Sequence, residues 1–349
     1  MIRLEKIFNR VNEIGADCFV SFDKSDLLYF TQVDGDGILL IIEQKPFIFA
    51  NKLSYDSIIN QKPHAEVIQA VNVLKSLQEY LIENKIHSIA LDLKSTSAFN
   101  FETLRKNFEI KDATDFSKQI RMIKEQGEIN SIKRAALIAR NAFTKVYPLI
   151  KIGISEKELQ IELDYQMLKH GAQENAFETI VASGVNTSFP HHRPTDKKIE
   201  DGDFLMIDFG ACVDGYKSDC TYTFLIGKRT DEERDFYNAL FYAQTFARES
   251  IAPNRTKAKD IDKRARDELA KYGLDKHFIH STGHGVGLDI HELPNIDSSN
   301  DTLILPNMVF TIEPGIYIPG KYGVRIEQTI LVKENDVEIL GYAPFMEII

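Results

Sequence analysis

The chain has 349 residues, 43% of them hydrophobic, and a formal net charge of −10 at pH 7. That length supports one large core or two moderate ones, and an acidic balance with no basic block speaks against binding a phosphate backbone. Three cysteines, Cys18, Cys212 and Cys220, form an odd set without metal-type spacing, which speaks against a disulfide framework.

The opening MIRLEKIFNRVNEIG has no signal-type apolar region. Ile2, Leu4, Ile7, Phe8, Val11 and Ile14 recur at three- and four-residue spacing, which predicts an amphipathic helix. No apolar run reaches the roughly 18 residues that cross a membrane, so a soluble cytoplasmic protein is expected. CFVSF, GILLII and KPFIFA read as buried strands. A helix is predicted over Val71–Glu83, a strand at SIALDL, a helix near Ala98–Asn107 and a short strand at FEI. This interleaving predicts an α/β domain over residues 1–120, ending in the polar stretch 112–126. A second domain is expected over 121–349.

The second part shows an order of elements that repeats. A helix from Gly127 carries Ile129, Ile132, Ala136, Ala139 and Phe143 on one stripe. A second opens at Ser155 with Glu158 as a capping box and stops at Gly171. FETIVASG follows, then FLMIDFGACVDGYKSDCTYTFLIG, read as two strands joined at Asp214–Gly215. The other half opens with Thr230 and Glu233 on a helix to about Ser250. A further helix over Ala258–Tyr272 ends at Gly273, and strands follow at FIHSTG, VFTIEPGIYI and GVRIEQTILV. Helix, helix, strands, twice over, predicts an α+β domain of two halves about a pseudo-twofold axis.

Four acids interrupt these apolar strands: Asp208, Asp219, Glu313 and Glu327. Converging buried carboxylates must take up protons or bind cations. Strand alternation puts Arg325, Glu327 and Thr329 on one face, and Asp219, Thr221 and Thr223 on one face. Four negative charges match two divalent cations. His284, in GHGVG between glycines that let the backbone approach a ligand, adds an imidazole. Carboxylates plus one imidazole suit Mn, Co, Fe(II) or Zn better than copper or an iron–sulfur cluster. His191 and His192 in PHHRPTD and His291 in HELP flank the site and are read as proton-transfer or hydrogen-bonding groups.

SFPHHRPTD, GDFLMIDFGACVDGYKSDCT, HSTGHGVGLDIHELP, TIEPGIYIPG and GVRIEQT resemble the prolidase, aminopeptidase P and methionine aminopeptidase family of pita-bread metallopeptidases. SDLLYFTQVDGDG is similar to that family's creatinase/prolidase N-terminal domain, which methionine aminopeptidases generally lack. The resemblance implies a metal-dependent Xaa-Pro dipeptidase in which a hydroxide bridging two divalent metals attacks the scissile carbonyl. Asp208 would bind one metal, His284 and Glu313 the other, and Asp219 and Glu327 both. Mn or Co are the leading metals, with Zn or Fe also compatible. Glu313 would be the general base, with His191 and His291 hydrogen-bonding substrate. Arg325 would either orient Glu327 or meet a substrate carboxylate. Gln328, Tyr222 and His192 depart from the family pattern, the first two on faces pointing away from the acids. The implied substrates are Xaa-Pro dipeptides or short peptides with proline second, with no nucleic acid or membrane partner, and the implied assembly is a homodimer.

The alternative reading is an Xaa-Pro aminopeptidase (aminopeptidase P) acting on longer peptides, and beyond it a non-catalytic pita-bread peptide-binding module. Intact ligands argue against that module and against the metal-free creatinase branch. Removal of N-terminal methionine is a further alternative.

Overall fold

The computed structural model describes residues 2–228 and 230–341, which separate into two compact units at Arg121/Met122. The first unit has six strands: β1 (Cys18–Ser21), β2 (Ile38–Ile42), β3 (Lys45–Asn51), β4 (Glu66–Ala70), β5 (Ser88–Leu91) and β6 (Glu109–Asp112). They lie in the order β4-β3-β2-β1-β5-β6, with β1–β2 and β2–β3 antiparallel and the remaining pairs parallel. Its helices are α1 (Ile2–Glu13), α2 (Lys24–Thr31), α3 (Lys52–Asn60), α4 (Val73–Glu83), α5 (Ala98–Leu104) and α6 (Phe116–Arg121). Val20, Leu40, Phe49, Leu77 and Ile89 centre its core.

Helices α2 and α3 and strand β4 were not expected from the sequence, and α6 falls within the polar stretch 112–126 expected to end the first domain. The reason at α2 is physical. Asp26, Leu27, Tyr29, Phe30 and Thr31 are all buried there, so no polar stripe reveals the helical period.

The second unit begins with α7 (Gln126–Val146) and α8 (Glu156–Lys169). Ile129, Ile132, Ala136, Ala139 and Phe143 are all buried on α7, as their spacing predicts. At the start of α8, Ser155 Oγ accepts from Glu158 N at 3.1 Å, and Ser155 N donates to Glu158 Oε2 at 2.8 Å. The strands of this half are β7 (Glu174–Asn175), β8 (Ile180–Ser183), β9 (Phe204–Phe209), β10 (Ala211–Val213), β11 (Tyr216–Lys217) and β12 (Cys220–Leu225).

The segment expected to form two strands therefore forms four. Gly210 marks the break, because a Cβ there would sit 1.9 Å from the Ser218 carbonyl oxygen. Strands β8, β9 and β12 make one antiparallel sheet, and β7, β10 and β11 another.

The other half opens with α9 (Asp231–Glu249), capped by Thr230 with Glu233, and α10 (Ala258–Ala270). Its strands are β13 (Gly283–Gly285), β14 (Glu292–Ile296), β15 (Val309–Ile312), β16 (Gly315–Ile318), β17 (Tyr322–Arg325), β18 (Gln328–Val332) and β19 (Val337–Ile339). Five of them form a sheet in the order β14-β13-β15-β18-β19, while β16 and β17 form a hairpin. FIHSTG is not a strand. Residues 278–282 are irregular, and the strand begins at Gly283. Each half has its own apolar core, around Phe143, Leu163 and Ile207 in one and Leu240, Ile261 and Phe310 in the other. Two helices followed by an antiparallel sheet thus occur twice.

Candidate metal centre

The four acids sit where strands end. Phe209 pairs with Cys220, so Asp208 and Asp219 stand at adjoining ends of β9 and β12. Ile312 pairs with Gln328, so Glu313 and Glu327 stand at adjoining ends of β15 and β18. The halves are stapled between these ends. Glu327 N donates to Thr221 O at 3.1 Å, and Thr329 Oγ1 to Asp219 O at 2.7 Å. Asp208, Asp219 and Glu327 are buried, Glu327 only 3% exposed, and Glu313 is half-buried.

His284 enters from β13. Its Nε2 lies 3.1 Å from Glu313 Oε1 and 3.7 Å from Asp219 Oδ2. The other nitrogen, Nδ1, is 3.1 Å from the Gly285 carbonyl oxygen. A carbonyl only accepts, so Nδ1 carries the hydrogen and Nε2 is the nitrogen turned to the acids. The flanking glycines serve packing. A Cβ on Gly283 would meet Thr311 O at 1.9 Å, and one on Gly285 would meet Leu293 O at 2.2 Å.

Arg325 closes β17 and ties the centre together. Its Nη2 donates to Asp208 Oδ2, and its Nε to Thr221 Oγ1 at 3.1 Å. Nη1 donates to Pro190 O at 3.2 Å and to the Tyr317 hydroxyl at 2.9 Å. It contacts Asp208, whereas the sequence offered Glu327 or a substrate carboxylate. Tyr317 in turn lies 3.2 Å from His280 Nε2. His280 and Tyr317 were not singled out in the sequence. Both lie inside quoted motifs, but nothing local distinguishes them. The pairing of Gly315 opposite Arg325, which leaves room for the Tyr317 hydroxyl, is visible only in the fold.

The electrostatics follow from burial and a shortage of positive charge. Burial pushes the Asp219 carboxyl well up, with the charges of Glu327 and Asp208 adding to it. Burial likewise raises Glu327 well above its ordinary range, helped by Glu313 and Asp208. Asp208 is raised by burial despite the opposing Arg325. At Glu313 burial also favours the neutral acid, but the bond from His284 outweighs it and the pKa falls. His284 moves up in response, its own burial notwithstanding.

A cation fits this arrangement. One ligand atom from each of Asp219, His284 and Glu327 lies within 4.8 Å of the others. Asp208 Oδ1 is a buried acceptor with no hydrogen-bond partner, as an oxygen reserved for a cation would be.

The centre forms one wall of a cavity of about 750 Å³, also lined by His191, His192, His280 and His291, a size ordinary for small-molecule sites. The His291 ring stands edge-on to His284 with centroids 4.2 Å apart, and its pKa is lowered by burial and then by His284. Next to it, Glu292 forms a buried ion pair with Lys124 at 3.2 Å. His192 turns from the centre to Glu156, 2.9 Å away. Gln328 faces Gln244 and Arg248, and Tyr222 stacks on Phe143.

The model of metallopeptidase family M24 matches residues 130–334, and that of the creatinase/prolidase N-terminal domain matches residues 3–123. Over 348 residues the chain is 35% identical to the Xaa-Pro dipeptidase of Pyrococcus furiosus, covering 97% of each chain. Among solved structures it is similar to an Xaa-Pro dipeptidase from Bacillus anthracis, with 31% identity and a TM-score of 0.94 over 100% of this chain and 99% of the other. It is also similar to an X-Pro aminopeptidase from Thermotoga maritima, with 34% identity and a TM-score of 0.86 over 98% and 100%. The fold is a creatinase-type α/β domain followed by an α+β pita-bread domain, and the family implies divalent metal cofactors. Among the described residues no helix is long and apolar enough to cross a membrane. The chain belongs to metallopeptidase family M24.

Proposed function

We propose that this protein hydrolyses the bond preceding proline in Xaa-Pro dipeptides, using two divalent cations. The convergence of Asp208, Asp219, His284, Glu313 and Glu327 on one cavity wall carries this reading, together with the likeness to an Xaa-Pro dipeptidase over nearly the whole chain. Residues 121–349 would carry the catalysis, and 1–120 would form the creatinase/prolidase-like domain. A cytoplasmic homodimer belongs to the same reading.

Asp208 would hold one cation, His284 and Glu313 the second, and Asp219 and Glu327 both. This donor set suits Mn or Co, with Zn or Fe also accepted. When bound, the cations would polarise the scissile carbonyl and lower the pKa of a water. Glu313 takes the attacking water's proton and hands it to the departing proline nitrogen. That nitrogen carries no hydrogen in the substrate, so the pocket recognises the ring by shape. His191 and His291 hydrogen-bond the carbonyl oxygen as negative charge builds on it. Arg325 makes four side-chain hydrogen bonds within the protein; it positions Asp208 and Pro190 and leaves the substrate to the histidines.

The test is hydrolysis of Ala-Pro and Ala-Pro-Ala by metal-stripped protein, before and after Mn or Co is added. Metal-dependent cleavage of the dipeptide alone is expected. The likeness to an X-Pro aminopeptidase supports a second reading, which preference for the tripeptide would establish. If neither peptide is cut while metal binds, the site is a binding module.

A further inference from the structure

His191 lies between two anchored neighbours. On one side the Pro190 carbonyl accepts from Arg325. On the other, the His192 ring is held by Glu156. His191 is exposed and lines the cavity, so its position depends on how firmly those neighbours are fixed. Arg325 already belongs to the acidic centre. Glu156 belongs to the first turn of α8 and is not among the cavity-lining residues.

Glu156 is completely buried, at 0% exposure. Its Oε1 accepts from Ser183 N at 2.7 Å, Ser183 Oγ at 2.9 Å and Asn186 Nδ2 at 2.9 Å. Its Oε2 accepts from Thr195 N at 3.0 Å and Thr195 Oγ1 at 2.8 Å, besides facing His192 Nε2. Ser183 is the last residue of β8, and Thr195 ends the PHHRPT run. One carboxylate therefore gathers the start, the end and the middle of segment 184–195, which opens with a 3₁₀ helix over Gly184–Ser188 and is irregular beyond it.

An acid in a first helical turn is favourable for the helix dipole alone. Here, however, the bonds described run to the segment, while the capping box of α8 is made by Ser155 and Glu158. The far end of the segment has other ties, since Lys157 N donates to Thr195 O at 3.0 Å and Glu156 N to Lys197 O at 3.1 Å. Losing the Glu156 carboxylate would therefore loosen the segment without unfolding α8. His192 adds a further contact to the same carboxylate.

We propose that Glu156 is a positioning residue for the peptidase reaction, its buried carboxylate fixing segment 184–195 so that His191 meets the substrate. The inference rests on the proposed role of His191. Glu156→Gln is the informative change because it preserves shape. A backbone N–H points at each carboxylate oxygen, from Ser183 and from Thr195, so whichever way the amide turns its NH₂ opposes one of them. The donor left facing it must move or go unpaired.

The experiment is a double-mutant cycle on the full chain loaded with Mn. It measures kcat and KM for Ala-Pro in wild type, E156Q, H191A and E156Q/H191A, with metal content per chain for each. Hydrogen exchange of segment 184–195 is followed in the metal-free proteins. E156Q is expected to lower kcat about 10- to 100-fold, as an ångström-scale misplacement does, with unchanged metal content and faster exchange confined to the segment. In the H191A background E156Q should change kcat less than about twofold, because both changes remove the same contribution.

Equal losses in both backgrounds, or unchanged exchange in the segment, would overturn the proposal. If E156Q does not fold, Ser183→Ala and Thr195→Val each remove one donor and leave the carboxylate. Both should give smaller kcat losses that vanish in H191A, and losses that persist there would overturn it equally. A wild-type chain that cleaves neither Ala-Pro nor Ala-Pro-Ala defeats the functional reading and the positioning role together. An active wild type with additive losses defeats the positioning role alone.

Discussion

Glu156 and Glu327 are both buried glutamates, at 0% and 3% exposure, yet they titrate in opposite directions. Burial opposes ionisation at Glu156, but donors from Asn186, His192 and Thr195 outweigh it and hold the carboxyl below its ordinary range. At Glu327 burial is reinforced by the charges of Glu313 and Asp208. Arg325 and the Thr221 hydroxyl, which donates at 2.7 Å, do not compensate. Burial does not by itself make an acid a cation ligand. A carboxylate surrounded by donors is an anchor, while carboxylates surrounded by one another need a counter-charge from outside the chain.

Removing a member of the underpaid group should do the most damage. Glu327→Ala is expected to reduce kcat on Ala-Pro by about 10³-fold or more, as loss of a principal electrostatic group does, and to lower bound metal. Retained turnover would refute its place between the two cations. Arg325→Lys comes next. A point charge on a flexible stem cannot hold Asp208, Thr221, Tyr317 and Pro190 at once, so kcat should drop by about 10²-fold. A rate within twofold of wild type would show the fork to be dispensable. His191→Ala should cost about 10²-fold in kcat, the usual contribution of a single proton-handling or hydrogen-bonding side chain. Metal content, measured alongside, should stay unchanged; loss of metal would make His191 a ligand.

The contrast was half legible in the sequence. Asp208, Asp219, Glu313 and Glu327 stood out because acids inside apolar strands are anomalous, and the fold brings all four to adjoining strand ends. Glu156 did not stand out. In SEKE the readable signal was the capping pair Ser155 and Glu158, and every partner that makes Glu156 an anchor lies 27 to 39 residues away. Local periodicity carries no information at that range. The same holds for His280 and Tyr317, which join the site through Arg325 and a β16–β17 hairpin. Elements with a polar stripe, such as α7, were readable. The buried α2 was not, since Asp26 and Thr31 are buried alongside its apolar residues and no polar stripe marks its period.

A smaller effect separates the two kinds of acid in solution. Asp219 and Glu327 have folded-state values well above those of an unfolded chain, near 3.9 and 4.3. At these two sites the metal-free fold therefore holds more protons than the unfolded chain above about pH 4. The stability they contribute is complete below that pH and is lost as pH rises through the folded-state values. His284, also raised, adds loss in the same direction above about pH 6.5. A divalent cation replaces those protons, so its affinity, and the stabilisation that follows from it, increase with pH. The gap in Tm between Mn-loaded and chelator-treated protein should widen by several degrees from pH 5 to pH 8. Asp26 in the first unit, pushed up to about 6 by burial against the opposing Arg121, also loses stability as pH rises. It does so with or without metal, and cancels in the difference. Glu156, with its lowered value, loses its contribution only as pH falls below the ordinary glutamate range, and cancels likewise. A gap that stays flat across pH 5 to 8 would mean that the central acids do not exchange protons for a cation, and the distinction between anchor and ligand would fail at its electrostatic root.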